Sequence, residues 1–277
     1  MKQKPAEGML RDSILVVAHP DDEALWFSSI LDRVGEIVVC FLGSRTNPEW
    51  KARRERCMAA YPLDNICTLG LEQAGVFNSA DWREGTTSSF GMEIQKSGPA
   101  RDHYMENFRR LKSLLERKLE GRHNVFTHNP WGEYGHEEHV QVYRAVKELQ
   151  EQQGFDLWFT NCCSNRSYNL MLTHIAGFDT EYVTLPANKK LGEAARSLYQ
   201  KHNCWTWYDD YCWFSEESFM RDRKLAEHEE DPGYGRIFPL NFIKMEIGDG
   251  SKTKGEETSL LGRIGGKLRR IGEAVGR

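Results

Sequence analysis

Apolar and polar positions along the chain fall into short unbroken apolar runs separated by longer stretches that repeat every three or four residues. The runs are SILVVAHP (13–20), EIVVCFLG (36–43), NICTLGL (65–71), NVFTHNP (124–130) and DLWFTNCC (156–163). Each is continuous rather than alternating, the pattern of strands buried on both faces. Helix-length segments at 23–33, 49–60, 102–120 and 136–152 lie between or beside them. Strands that alternate with helices predict βαβ units, hence an α/β, Rossmann-like fold with a mostly parallel sheet covered by helices on both faces.

In such a sheet ligands gather beyond the carboxyl ends of the strands. The first run ends there in His19, Pro20, Asp21, Asp22 and Glu23, an unusual stop for an apolar segment. The fourth leads into WGEYGHEEHV, where His136 and His139 stand three residues apart at a helix start and can face one way. Catalytic zinc usually takes three His or carboxylate ligands and keeps one position for water. His19, Asp22 and His139 supply such a set, leaving Asp21 to take a proton from water and His136 to meet an oxyanion or protonate a leaving amine. HEEH is not HExxH, whose histidines are four apart, so a zincin is not expected. No GxGxxG follows the first strand and no GxxxxGK[ST] occurs, which removes support for dinucleotide or P-loop chemistry.

AHPDDE at Ala18 to Glu23 followed by GHEEH at Gly135 to His139 resembles the PIG-L/LmbE-like zinc-dependent de-N-acetylases. That family acts on N-acetylglucosaminyl-phosphatidylinositol, on mycothiol and bacillithiol precursors and on N-acetylated sugars of antibiotics. The resemblance covers roughly residues 12 to 205. It implies His19, Asp22 and His139 as zinc ligands, with iron or another divalent ion able to substitute, Asp21 as general base, and His136 as the group that stabilises the tetrahedral intermediate. It implies a hydrolase that removes an N-acetyl group from an N-acetylglucosamine-type amino sugar or glycoconjugate. An amidase acting on another amide, such as a thiol conjugate, and a non-catalytic metal- or glycan-binding protein are the alternatives. The chain departs from the family in three places. Glu138 stands where members usually have Asp, and Ala74-Gly75 where many have Asp-Gly. Arg53 is the nearest counterpart of an arginine that members place near the substrate. His202, in KKLGEAARSLYQKHNCW, matches a later histidine and is a candidate pocket residue, while Trp131 and Tyr134 flank the second motif and either stack on a sugar or pack. His128 ends a strand and is a candidate to support the ligands.

Composition narrows the partners. Lys and Arg number 37 against 41 Asp and Glu, a formal net charge of -4, so the basic footprint of a nucleic-acid binder is missing and a small molecule is the expected partner. Seven scattered cysteines without a CxxC pair argue against disulfides or a zinc ribbon and read as small buried residues. The N-terminus lacks the apolar run of a signal peptide and no stretch approaches the roughly 18 apolar residues of a spanning helix, so the reading is cytoplasmic. One domain is expected over 1–247, followed over 248–277 by a linker, GDGSKTKGEET, and a tail, SLLGRIGGKLRRIGEAVGR. The tail's basic amphipathic pattern suits weak, peripheral membrane-surface association. Residues 74–100 read as a long loop bordering the pocket, and CWTWYDDYCWF as a packing layer or antiparallel extension in preference to a sugar-stacking surface. Oligomeric state is not legible.

Overall fold

The computed structural model describes residues 7–175, 178–223 and 239–245 of the 277-residue chain. In chain order the elements are α1 (Glu7–Arg11), β1 (Ser13–Val17), α2 (Asp22–Trp26), β2 (Glu36–Ser44), α3 (Pro48–Ala59), β3 (Ile66–Gln73), β4 (Thr87–Ser88), β5 (Gly91–Met92) and α4 (Pro99–Leu119). They continue with β6 (Asn124–Thr127), α5 (Glu137–Gln153), β7 (Asp156–Thr160), β8 (Cys162–Ser164), α6 (Tyr168–His174), β9 (Phe178–Pro186), α7 (Lys189–Lys201), β10 (Glu216–Asp222) and β11 (Asn241–Ile243). The linker and the basic tail lie outside the described residues. No described helix is long and apolar enough to cross a membrane.

Seven strands form the central sheet in the order β3-β2-β1-β6-β7-β10-β9. The first five are parallel, and β10 pairs antiparallel with both β7 and β9. The continuous apolar runs are explained by the two covered faces. Ile14 and Val16 of β1 turn to one face, against Leu111 and Leu115 of α4 and Val142 and Val146 of α5. Leu15 and Val17 turn to the other, with Phe27, Ile30, Cys57 of α3 and Tyr199 of α7. A period of two places successive residues on opposite faces, so both must be apolar when both faces are buried.

The expected helix at 23–33 is shorter: α2 stops at Trp26 and turns follow. The cause is distant in sequence. The buried carboxylate of Glu217 accepts the N–H and hydroxyl of Ser28 (3.1 and 2.5 Å) and of Ser29 (2.9 and 2.6 Å), drawing those amides out of helical bonding. The fifth run also divides, since β7 ends at Thr160 and β8 leaves to pair with β11. Between Ala74 and Gly98 the chain forms mainly turns and the small β4–β5 hairpin. The aromatic run 204–214 is a packing layer without strand: Trp213 donates to Ala24 O (2.7 Å), Tyr211 to Leu25 O (3.2 Å), and Trp207 stands edge-on to Trp26 at 5.2 Å. The antiparallel extension is supplied instead by β9 and β10.

Candidate active site and metal centre

The adjacent strands β1 and β6 end side by side, and the two motifs follow from their carboxyl ends. After β1 the backbone folds on itself: Asp22 N donates to His19 O (3.2 Å), and His19 N donates to Asp22 Oδ2 (2.7 Å). Asp21 between them takes φ 100°, a left-handed conformation that costs energy in any residue but glycine. After β6 the turn is fixed by Asn129, whose side chain donates to Thr160 O and Cys162 O (3.0 and 2.7 Å) and accepts from Glu133 N (2.9 Å). Gly132 (φ 65°) must be glycine, because a Cβ there would lie 2.6 Å from His136 O.

Proton accounting separates four buried imidazoles. His128 Nε2 accepts the Ala18 N–H (2.8 Å), so its proton is on Nδ1, which donates to Glu133 Oε2 (3.0 Å). His139 Nδ1 donates to the same oxygen at 2.7 Å. His136, the N-cap of α5, accepts the Glu138 N–H on Nδ1 (3.1 Å), which places the neutral ring's proton on Nε2. His19 lies between two carboxylates, Nδ1 3.2 Å from Asp22 Oδ2 and Nε2 2.9 Å from Glu138 Oε2. His139 Nε2 has no hydrogen-bond partner, although it is fully buried and 3.2 Å from Asp22 Oδ1.

The electrostatics agree with this division. Burial and the neighbouring His19 and His139 keep His136 well below the usual histidine range, hence neutral. Burial opposes charge on His139, yet the Asp22 and Glu133 carboxylates outweigh it and push it up to about 10. Burial likewise opposes ionisation of Asp22, but His139 and His19 hold it well below the ordinary value. Asp21, one residue away, is raised to about 6 by burial and by Asp22. The site therefore has a negative centre that wants a cation, beside a carboxylate able to exchange a proton near neutrality. Buried ligand atoms converge within 4.8 Å in two overlapping groups, His19 with His136 and His139, and Asp22 with His128 and His139. A cluster of this composition can hold a metal ion, and a cation at the buried His139 Nε2 would take the place of the proton that Asp22 and Glu133 favour there.

Both acids of GHEEH anchor the loop that borders the cluster. Glu137 Oε1 accepts from Ser79 N (2.9 Å), Ala80 N (2.9 Å) and Trp82 Nε1 (3.2 Å). Glu138 Oε1 accepts from Ala74 N (2.7 Å), so the longer side chain reaches both the loop and His19. Phe77 is thereby stacked on His136 (4.8 Å), and Tyr134 stands edge-on to His139 (5.3 Å) and Trp207 (4.7 Å), forming an aromatic wall. Arg166 lies over Phe77 and Trp82, 5.3 Å from each ring.

The structure brings His19, Asp21, Asp22, His136, Glu138, His139 and Tyr134 together. It does not bring three other candidates. Trp131 is wholly buried, its indole donating to Cys162 O (2.6 Å) and its ring edge-on to Phe159, so it packs in the core. Arg53 is half-buried, pairing with Glu49 (3.0 Å) and donating to Asn203 O (3.5 Å), whereas Arg54 is buried and donates to Leu42 O and Gln73 Oε1 (3.5 Å each). His202 caps the C-terminus of α7, and the chain meets the site four residues later at Thr206. Sequence reading missed Glu133, which organises two histidines, Glu137, Glu23 and Thr206. Glu23 had a signal, being part of the first motif; Thr206 had none.

A family model described as GlcNAc-PI de-N-acetylase, PIG-L, matches residues 14–150. No curated protein sequence matched the chain. Among solved structures, a deacetylase in complex with teicoplanin, from the biosynthesis pathway of teicoplanin, is 12% identical and aligns with 77% of this chain and 99% of its own at a TM-score of 0.48. The A40926 pseudoaglycone deacetylase Dbv21 is 13% identical over 76% of this chain and 97% of its own, TM-score 0.45. The conserved protein TT1542 from Thermus thermophilus is 18% identical over 68% and 78%, TM-score 0.38.

Proposed function

We propose that this chain, whose residues 14–150 belong to the PIG-L family of GlcNAc-PI de-N-acetylases, is a zinc-dependent hydrolase that removes the acetyl group from an N-acetylglucosamine-type amino sugar or glycoconjugate. The observation that carries the reading is the proton accounting. The lone pairs of His128 Nε2 and His136 Nδ1 are already committed to backbone N–H groups, so His19, Asp22 and His139 are the groups left to hold zinc. His139 Nε2 and His19 Nδ1 each lie 3.2 Å from an oxygen of Asp22. That is close to the roughly 3.3 Å between neighbouring ligands of a tetrahedral centre with 2.0–2.1 Å bonds. Glu133 and Glu138 would hold the two imidazoles from behind, the support that metal-ligating histidines usually have.

Bound zinc would polarise the acetyl carbonyl and make water acidic enough to attack near pH 7. Iron or another divalent ion could serve the same N/O donor set. The chain's own groups do the rest. Asp21 takes the proton of the attacking water and returns it to the departing nitrogen as the C–N bond breaks, giving acetate and a free amine. His136 donates its Nε2–H to the oxygen that becomes negative, a donor already neutral and aimed by its bond to Glu138 N. The wall of Phe77, Tyr134 and Trp207 offers the sugar ring its apolar face.

The test is a pair of adjacent substitutions, measured alongside acetate release from N-acetylated sugars, nucleotide sugars and lipid-linked sugars with zinc added. Asp22→Asn should lose zinc and regain part of its activity in excess metal. Asp21→Asn should keep zinc yet lose on the order of 100- to 10,000-fold in kcat. Release of a larger acid in place of acetate would make the protein a different amidase. An Asp21→Asn enzyme with near-normal turnover would end the assignment of the base.

A further inference from the structure

Asp21 and Asp22 are consecutive and chemically the same, so a cation nearby would attract both. Different work requires that something hold one carboxylate apart. Asp22 is turned toward His19 and His139. Asp21 faces elsewhere, and its costly left-handed backbone is secured at both ends. Its N–H donates to Glu23 Oε2 (3.0 Å), and Glu23 is itself fixed by the hydroxyls of Tyr61 (2.9 Å) and Tyr199 (2.7 Å). Its side-chain Oδ2 accepts both the backbone N–H (3.1 Å) and the hydroxyl of a single residue 185 positions away, Thr206.

Thr206 lies beyond residues 14–150, in the irregular aromatic segment. Its flanks are rigid, because Cys204, Trp205 and Trp207 are all buried in the core that includes Trp26 and Tyr199. We infer that Thr206 is the positioning residue of the general base. Two donors on one oxygen stop the carboxylate from rotating, keep Oδ2 from turning to the metal cluster, and leave Oδ1 as the oxygen that takes the proton. This rests on the reading of Asp21 as base.

Thr206→Val removes the hydroxyl while keeping the β-branch and the N–H; Thr206→Ser keeps both donors. With the full chain loaded with zinc and N-acetylglucosaminyl-phosphatidylinositol as probe, the valine variant should lose about 10- to 100-fold in kcat at unchanged KM. The serine variant should stay within about threefold of the parent. A second arm needs no turnover. Thr206→Val should lower the melting temperature of the parent but not that of Asp21→Ala, since the lost bond is already absent there. Equal losses in both backgrounds would make Thr206 a mere packing residue and overturn the inference. So would a valine variant within about twofold of the parent kcat while Asp21→Asn is inactive. If Asp21→Asn itself stays active, the reading of the base fails, and the melting arm still decides whether Thr206 holds Asp21.

Discussion

Shortening Glu138 to aspartate should damage this protein. Glu138 spans two fixed points, His19 Nε2 at 2.9 Å and the Ala74 amide at 2.7 Å, with Gln73 Nε2 at 3.5 Å. Removing one methylene withdraws the carboxylate by about 1.5 Å. Neither bond has that much slack, because both would then exceed the roughly 3.2 Å of a good N–H···O contact unless the backbone follows. His19 would lose the acceptor that fixes its ring, a change that typically lowers metal affinity about 10- to 100-fold, or roughly 1.4–2.8 kcal/mol. Zinc affinity of Glu138→Asp, measured by competition with a chromophoric chelator, should fall in that range, and Glu138→Gln should fall too, because with its carbonyl on Ala74 N its amide N–H faces the Nε2–H of His19. The reasoning is refuted if Glu138→Asp binds zinc within about twofold of the parent, since the glutamate's length would then not be set by these two contacts.

His136→Ala should cost about 100- to 1,000-fold in kcat with zinc content unchanged, as expected for loss of an oxyanion donor; loss of zinc would make His136 a ligand instead. Asp21 is raised to about 6 by burial and Asp22; as the proposed base it would work deprotonated, and a bound cation would pull it down again. The acid limb of kcat/KM should therefore fall as pH drops through 6 or lower, and a limb above pH 7 would exclude Asp21. Burial, against the hydrogen bond of Tyr199, raises Glu23 from 4.5 to about 7. The folded state thus keeps a proton that the unfolded chain releases, a stabilisation complete below pH 4.5 and lost as pH rises through 7. Thermal melts of metal-free protein should improve from pH 8 to pH 6, and Glu23→Gln should flatten that dependence. Trp131→Phe should reduce stability by about 1 kcal/mol through the lost bond to Cys162 O, and leave kcat/KM within about twofold.

The sequence by itself determined the parallel core and the two strand-end motifs that meet at the candidate site. Burial on both faces forces apolar residues onto successive central positions of β1, β2, β6 and β7, so the runs are visible without any partner. Histidines and acids that interrupt such runs at strand ends are costly to bury unless they bind something, which makes the two motifs legible as well. Tertiary structure decided matters of direction and reach. Successive helical residues lie about 100° apart around the axis, and in the charged run RRER nothing local tells which arginine turns inward; packing against Trp50 and Leu42 selected Arg54 over Arg53. Whether Trp131 faces a ligand or the core depends on Phe159 and Cys162, which belong to later elements. The end of α2 is set by Glu217, about two-thirds of the chain away, and the orientation of Asp21 by Thr206. Which nitrogen of His128 carries the proton likewise follows from a backbone amide supplied by another segment, that of Ala18. Composition and periodicity report what a residue can do and whether it is buried, whereas proton position and side-chain direction are pair properties that exist only once distant segments have met.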